Sequence, residues 1–324
     1  MQEWTVTVDE ARIRLDVWLV RRAGAASRSR ASGWIERGKV FVNGQEIGLA
    51  EASHHVAAGD CVRVWLDRPG SSKPTDRAVA GVRAHLRTVH EDSAIVVVDK
   101  PVGMIVEPLP GEAVQEPTML DLLVDAYRHV PRAHVYVVHR IDRDTSGLVL
   151  FARSPAARDH LKGQFERRTP DRIYQAVVLG ALKTESAEWR DRLAWDKVAL
   201  RQRRAHDSDA GAKEAEARVR VLERFDAAAT LVEVSLVTGK RNQIRVQAGL
   251  RGHPLLGERQ YRFGAPPEPA GLPIIDRQAL HAWGLAFVHP RSKQHVSFTA
   301  PLPDDISRLL RALRKHSPRQ ARLL

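Results

Sequence analysis

HRIDRDTSGLVLF, from His139 to Phe151, constrains this chain more than any other stretch, because charged and hydroxyl side chains run straight into an apolar, strand-like segment. Charges gathered at the mouth of a strand suggest a reaction centre. Asp142 lies between Arg140 and Arg143, Asp144, Thr145 and Ser146 follow, and Gly147 lets the backbone approach something bulky.

Four readings compete for the segment. A hydrolytic triad of His139, Asp142 and Ser146 needs a nucleophile elbow whose glycine pattern is missing. A metal site of His139, Asp142 and Asp144 has no HExxH or paired-cysteine support. A salt-bridged turn is the plain structural alternative. In the fourth, Asp142 is a carboxylate nucleophile positioned by an arginine and hydroxyl donors.

A second segment, TGKRNQIRVQAGLRGHPLLGERQY from Thr238 to Tyr261, favours the fourth. Its QIRVQ run alternates as a strand does, so Arg245 should face away from Ile244 and Val246. An inward guanidinium needs an anion, and Asp142 in a bidentate pair is the expected partner.

Taken in order, the motifs resemble those of the RluA-type family of RNA pseudouridine synthases. DKPVGM (Asp99 to Met104) is similar to that family's opening motif and HRIDRDTSGL to its HRLDxxTSG segment. RIYQAVVLG (Arg172 to Gly180) resembles its tyrosine-bearing strand, TGKRNQIRV its TGRTHQIRV, and LHAWGLAFVHP (Leu280 to Pro290) its closing motif. The resemblance spans roughly residues 85 to 305. It implies isomerisation of uridine in RNA, with Asp142, Tyr174 and Arg245 as catalytic residues. Departures are Lys240, Arg241 and Asn242 where Arg, Thr and His are usual, Gln247 and Glu107 where histidine is common, and Arg172 for lysine. They bear on substrate choice more than on chemistry.

The residue types suit that reaction. The glycosidic bond must break, the uracil turn while held, and carbon 5 join the sugar, with no redox step or added group. Asp142 can attack the sugar, attack the base or support elimination; the sequence leaves all three open. Arg245 would keep it ionised. Tyr174 would stack on the uracil or take the carbon-5 proton, its plain alternative being a half-buried strand tyrosine.

Charge fits an RNA partner. Lys and Arg number 51 against 39 Asp and Glu, for a net charge of +12 and a pI near 10.3. One cluster comprises Arg12, Arg14, Arg21, Arg22, Arg28, Arg30, Arg37 and Lys39, over two expected short helices with Leu15, Trp18 and Leu19 as a small core. GKVFVNGQEI reads as a strand and a tight turn at Asn43 and Gly44, and CVRVWL as a further strand. This order resembles the small RNA-binding module shared with a ribosomal protein. We expect it to fill residues 1–66, with a linker at 67–84 and a catalytic domain at 85–324; a basic helical cap is the alternative. RQRRAH, with Arg201 and Arg203, reads as an exposed loop contacting phosphate. Arg140, Arg143, Lys240 and Arg241 are further expected RNA contacts, and Met104, Glu107 and Arg143 are placed at the entrance for an extruded base. The basic run at Arg308, Arg311, Arg314 and Lys315 reads as the solvated face of a final helix.

The fold class is α+β: a small N-terminal α/β module, then a central, mostly antiparallel mixed sheet flanked by helices. AIVVVDKP, IYQAVVLG, ATLVEVSLV, QIRVQ and GLAFVHP read as strands. MLDLLVDAYRHV, capped by Thr118, reads as a helix, as does the segment after Ser154 and Pro155.

The single cysteine, Cys61, rules out an internal disulfide framework and fits a reducing compartment. The first residues read as neither a secretory signal nor a membrane anchor, so a cytoplasmic monomer is expected. With no P-loop, dinucleotide fingerprint or zinc pattern, catalysis without metal or cofactor is expected. Ribosomal RNA is favoured over transfer RNA by the N-terminal module. A non-catalytic RNA-binding or ribosome-assembly protein, and a glycosidase releasing the base, are the other function classes.

Overall fold

The computed structural model describes residues 2–36, 38–47, 54–66, 86–108, 116–128, 134–196, 198–268, 270–271 and 274–317. The expected linker at 67–84 and Arg37 lie outside these. The chain divides into two compact units, Met1–Ala80 and Gly81–Leu324.

In the first unit, β1 (Gln2–Thr5), α1 (Leu15–Arg21), α2 (Arg28–Glu36), β2 (Val40–Val42), β3 (Gln45–Glu46) and β4 (Cys61–Val64) follow in order. The strands form an antiparallel sheet in the order β1, β4, β2, β3. Leu15, Trp18 and Leu19 are buried as their helical spacing requires, against Trp34, Ile35, Val40 and Val62. The Asn43–Gly44 turn takes positive φ at both residues, 52° and 82°, as a tight hairpin demands. Strand β1 escapes sequence reading, since its residues are mostly exposed and lack an apolar pattern.

The second unit contains β5 (Arg87–Glu91), β6 (Ile95–Lys100), α3 (Met119–Tyr127), β7 (Tyr136–Val137), β8 (Ser146–Ala152), α4 (Pro155–Glu166) and β9 (Asp171–Leu179). Then come β10 (Ser186–Asp196), β11 (Arg201–Arg204), β12 (Lys213–Phe225), β13 (Ala229–Leu236), α5 (Gln243–Leu250), β14 (Leu280–Val288), β15 (His295–Thr299) and α6 (Asp304–His316). The sheet runs β11, β10, β12, β13, β9, β14, β8, β6, β5, with β15 on β14 and β7 on β8. Every pairing is antiparallel except β14 with β8.

At β6 the sheet is covered on both faces. In β6, Val96 and Val98 join one core with Met119, Leu123 and Tyr127 of α3, while Ile95 and Val97 join another with Ala157 and Leu161 of α4. Thr118 and Asp121 form the capping box that starts α3, and the Ser154 hydroxyl caps α4 ahead of Pro155. The basic residues Arg308, Arg311, Arg314 and Lys315 are exposed on α6, whose Ile306, Leu309, Leu310 and Leu313 are buried.

Two expected elements are overturned. QIRVQ is the start of helix α5, not a strand. Three alternating residues fit either period, and the informative spacing is four: Gln243 Nε2 donates to Gln247 Oε1 at 3.1 Å. RQRRAH is not a free loop, because Arg201–Arg204 pairs with β10. Strands β10 and β12 were hidden by their charge. Arg190 and Arg192 lie opposite Glu216 and Glu214, and Arg220 opposite Glu233, as cross-strand ion pairs on a solvated face.

The sheet is weakest as a continuous ladder where β8 meets β14. Only Ser146 with His281 and Gly147 with Ala282 pair there. Gly147 has φ +111°, and a Cβ on it would lie 2.3 Å from the Ala282 carbonyl oxygen, so only glycine permits this approach.

Candidate active site

The segment ahead of β8 opens onto a cleft of about 840 Å³. Residues 138–145, the end of α4, the start of β9, Leu236, the chain from Thr238 to Arg245, Gln278 and the first residue of β14, Leu280, line it. Asp142, Tyr174 and Arg245 are all in that lining.

The turn carrying Asp142 is fixed from below. Lys100 is 1% exposed, and its ammonium donates to the carbonyls of Pro101, Met104 and Arg143 at 2.8, 2.8 and 2.7 Å. Burial pushes this lysine down to about 7, against the pull of Asp144 and Asp142. Thr145 N–H donates to the Asp142 carbonyl at 3.1 Å, and Arg277 donates to the Asp144 carbonyl while clamping Asp305 at 2.6 and 2.9 Å. Ser146 and Thr145 are buried, and His139 accepts from Leu150 N–H and stacks on Phe165. No described group of His, Cys, Asp or Glu is arranged to hold a metal. His139 and Ser146 are thus tied into the scaffold, unlike the members of a hydrolytic triad.

The expected bidentate pair between Arg245 and Asp142 does not form. Arg245 gives both donors to Glu258, Nε to Oε2 at 2.7 Å and Nη2 to Oε1 at 2.9 Å, and reaches Asp142 Oδ2 only through Nη1 at 3.5 Å. The Glu258 side chain is fully buried and also accepts from the backbone N–H groups of Gln260 and Tyr261. Burial alone would raise its pKa, but the bonds and charge of Arg245 with those N–H groups hold it below the usual range. Arg245 in turn is raised despite its burial, by Glu258 first and Asp142 second. A buried guanidinium did require an anion; a closer carboxylate supplied it.

The nearest group to Asp142 is Asn242, whose Nδ2 donates to Oδ2 at 2.7 Å. The sequence reading names Asn242 only as a departure bearing on substrate choice and gives Glu258 no role; the signal available was an acid in the largely apolar run LLGERQY. Tyr174 is 8% exposed, and burial pushes its phenol up to about 12, Arg172 opposing and Asp142 adding to the rise. It is therefore protonated at neutral pH.

The expected RNA contacts divide. Arg140 and Arg143 are exposed in the lining, Arg143 also donating to the Gly103 carbonyl, and Lys240 and Arg241 line it too. Arg241 lies 4.5 Å above the Trp195 ring. Arg168 and Arg172 join them, and Arg172 donates to the carbonyls of Leu236 and Val237 at 3.4 and 3.3 Å. Of the three residues expected at the entrance, Arg143 lines the cleft, and Met104 and Glu107 do not. Arg201 donates to the Gln260 carbonyl and Arg203 makes two bonds to Asp209, at 2.6 and 2.8 Å. Gln247, fully buried, bonds Trp189, Asp191 and Ala215 and never reaches the cleft. In the first unit Arg12 and Arg30 are exposed, Lys39 bonds the Leu66 carbonyl, and Arg14 and Arg28 pair with buried Asp16 at 3.1 and 2.9 Å.

Residues 94–249 match the RNA pseudouridylate synthase family, and residues 13–60 match the S4 domain. The ribosomal large subunit pseudouridine synthase D of Neisseria meningitidis is 36% identical, over 96% of this chain and 81% of that one. The chain belongs to the RNA pseudouridine synthase family. It is accordingly an isomerase, which removes the non-catalytic and base-releasing alternatives. The synthase is also 35% identical to the ribosomal large subunit pseudouridine synthase D of Nitrosomonas europaea, over 96% and 88% of the two chains. An uncharacterized RNA pseudouridine synthase of Bacillus subtilis is 33% identical over 96% and 98%. In fold, the synthase resembles human RNA pseudouridylate synthase domain containing 4, with a TM-score of 0.60 and 19% identity over 74% of this chain and 96% of that one. No described helix is long and apolar enough to cross a membrane.

Proposed function

We propose that this synthase converts uridine to pseudouridine in ribosomal RNA of the large subunit, with Asp142 as the nucleophile. The observation that carries the role of Asp142 is its divided carboxylate. Oδ2 is taken by Asn242 and Arg245, whereas Oδ1 accepts from none of the described residues, and the side chain is 25% exposed in the cleft. A base extruded from its stack enters there, and the few kcal/mol this costs are offset by phosphate contacts from the basic rim. Asp142 opens the glycosidic bond, directly or by way of the sugar or base. Arg245 sets its positive charge 3.5 Å from Oδ2, and Tyr174 faces the uracil while it turns and carbon 5 meets the sugar. Arg140, Arg143, Lys240 and Arg241 hold the flanking backbone, with Arg201 and Arg203 on the neighbouring hairpin.

The named substrates of the bacterial relatives support ribosomal RNA, as does the S4 match. In this reading residues 1–66 form the RNA-binding module, with Arg12, Arg14, Arg28, Arg30 and Lys39 on it. Residues 67–84 join it to a catalytic domain at 85–324, and the enzyme works as a cytoplasmic monomer without a cofactor.

The test is incubation of purified protein with large-subunit ribosomal RNA or bulk transfer RNA, followed by mapping of pseudouridine. Modification at discrete ribosomal positions is expected; modification confined to transfer RNA overturns the substrate. Asp142→Asn should lower turnover by at least ~10³-fold while RNA affinity stays within about threefold. Turnover at the parent rate would end the nucleophile assignment.

A further inference from the structure

With Arg245 committed to Glu258, the close hold on Asp142 falls to a neutral amide. That amide is itself fixed. Asn242 Oδ1 accepts from the Tyr261 hydroxyl at 3.2 Å, and the Tyr261 oxygen accepts from Gln202 N–H at 3.2 Å. The Gln202 N–H can only donate, so the chain has one direction: β11 backbone to phenol, phenol to amide carbonyl, amide N–H to carboxylate. A reversed amide would turn its carbonyl toward the carboxylate and lose the bond to Asp142. Tyr261 is fully buried beneath Arg245, whose guanidinium lies 5.2 Å from the ring centroid, and Asn242 is set at φ 54° and ψ 23° where α5 begins.

We propose that Asn242 and Tyr261 are positioning residues for the isomerisation: together they fix Asp142 through Oδ2 and leave Oδ1 to the nucleotide. The proposal rests on Asp142 being the reacting carboxylate. Its physical sense lies in the kind of donor. A bidentate guanidinium would occupy both oxygens with charge-assisted bonds, which are roughly twice as strong as neutral ones and would quench the nucleophile. A single amide bond orients the carboxylate and leaves its second oxygen uncommitted, while Arg245 supplies charge from a greater distance. The same chain runs back to the strand that carries Arg201 and Arg203.

The experiment is a kinetic cycle on the full-length enzyme with its RNA substrate. Asn242→Gly removes the amide without backbone strain, because glycine accepts the left-handed conformation. It is expected to lower kcat by ~10²-fold with KM within about threefold, as for a reacting group displaced by about 1 Å. Tyr261→Phe keeps the ring and loses the hydroxyl, and should lower kcat by about tenfold. The double variant should be no slower than Asn242→Gly alone, since Tyr261 acts through Asn242. Asn242→Asp, similar in shape and tolerant of the same backbone, replaces the donor with an acceptor and should be at least as slow as Asn242→Gly. Effects that multiply, a loss confined to KM, or parent kcat in Asn242→Gly or Asn242→Asp would each overturn the relay. Asp142→Asn is assayed alongside. An active Asp142→Asn removes the reading beneath the proposal, whereas an inactive one beside a fully active Asn242→Gly removes the relay alone.

Discussion

The His281 side chain joins β14 to β8 and to the residue after β15. The Ser146 hydroxyl donates to its Nδ1 at 3.0 Å, and its Nε2–H donates to the Ala300 carbonyl at 3.2 Å, an arrangement open only to the neutral ring. Burial pushes this histidine down to about 4, although the Ala300 bond opposes the shift. His139, with Nε2 accepting from Leu150 N–H, is pushed down as well, first by burial and then by Arg172. Between pH 6.5 and 4 the unfolded chain therefore takes up protons that the folded chain refuses. The share of stability that rests on these two buried neutral rings is complete above about pH 6.5 and falls with acidification, His281 contributing roughly 3 kcal/mol of the loss. Urea unfolding across that window should show the decline, and His281→Gln should flatten it; a parent-like slope in the variant would refute the assignment. At the same scale, the residues of the site were legible one by one, but not their partners. Asp142 and Arg245 stand out by type and setting and Tyr174 only through the family resemblance, whereas Glu258, thirteen residues beyond Arg245, looks like any surface acid until the turn after α5 buries it.

Among the elements, the seam between β8 and β14 matters most. Its two parallel pairs depend on Gly147, where an added methyl would meet the Ala282 backbone and the positive φ would be strained. Gly147→Ala should cost on the order of 3 kcal/mol or more and depress turnover, since Asp142 stands five residues away. Denaturant titration decides it, and a variant within about 0.5 kcal/mol of the parent would show the approach to be dispensable. Elements with strong local signals were legible: the capped helices α3 and α4 and the apolar strands β6, β8, β9, β13 and β14. Helix α5 was not, because its buried faces wrap most of the way round, with Gln243, Ile244, Val246, Gln247, Ala248 and Gly249 all covered. An element buried that widely has no single polar stripe to betray its period. Strands β10 and β12 failed for the opposite reason, their Arg and Glu being spent on cross-strand pairs that only the register reveals.

Across the whole molecule the net charge of +12 is unevenly committed. Arg14, Arg28, Arg203 and Arg245 are held by Asp16, Asp209 and Glu258, while Arg140, Arg168, Lys240 and Arg241 line the cleft. Binding to ribosomal RNA should weaken by ~10²-fold or more between about 50 and 200 mM salt. Arg241→Ala should reduce the slope of log affinity against log salt by about 1, and Asp142→Asn should leave it unchanged. Titrations at several salt concentrations check both, and an affinity indifferent to salt would contradict a phosphate-lined cleft.

By itself the sequence indicated the apolar strands and the capped helices α3 and α4, and it set an acid and a guanidinium against each other, the phenol joining them through the family resemblance. Strands and helices follow from local periodicity and the paired charges from the cost of burying charge, both of which act over a few residues. Tertiary structure alone decided that Glu258 takes Arg245 and that Asn242 and Tyr261 take one oxygen of Asp142. A buried guanidinium demands an anion of some kind, but which carboxylate answers depends on where segments a hundred residues apart come to rest.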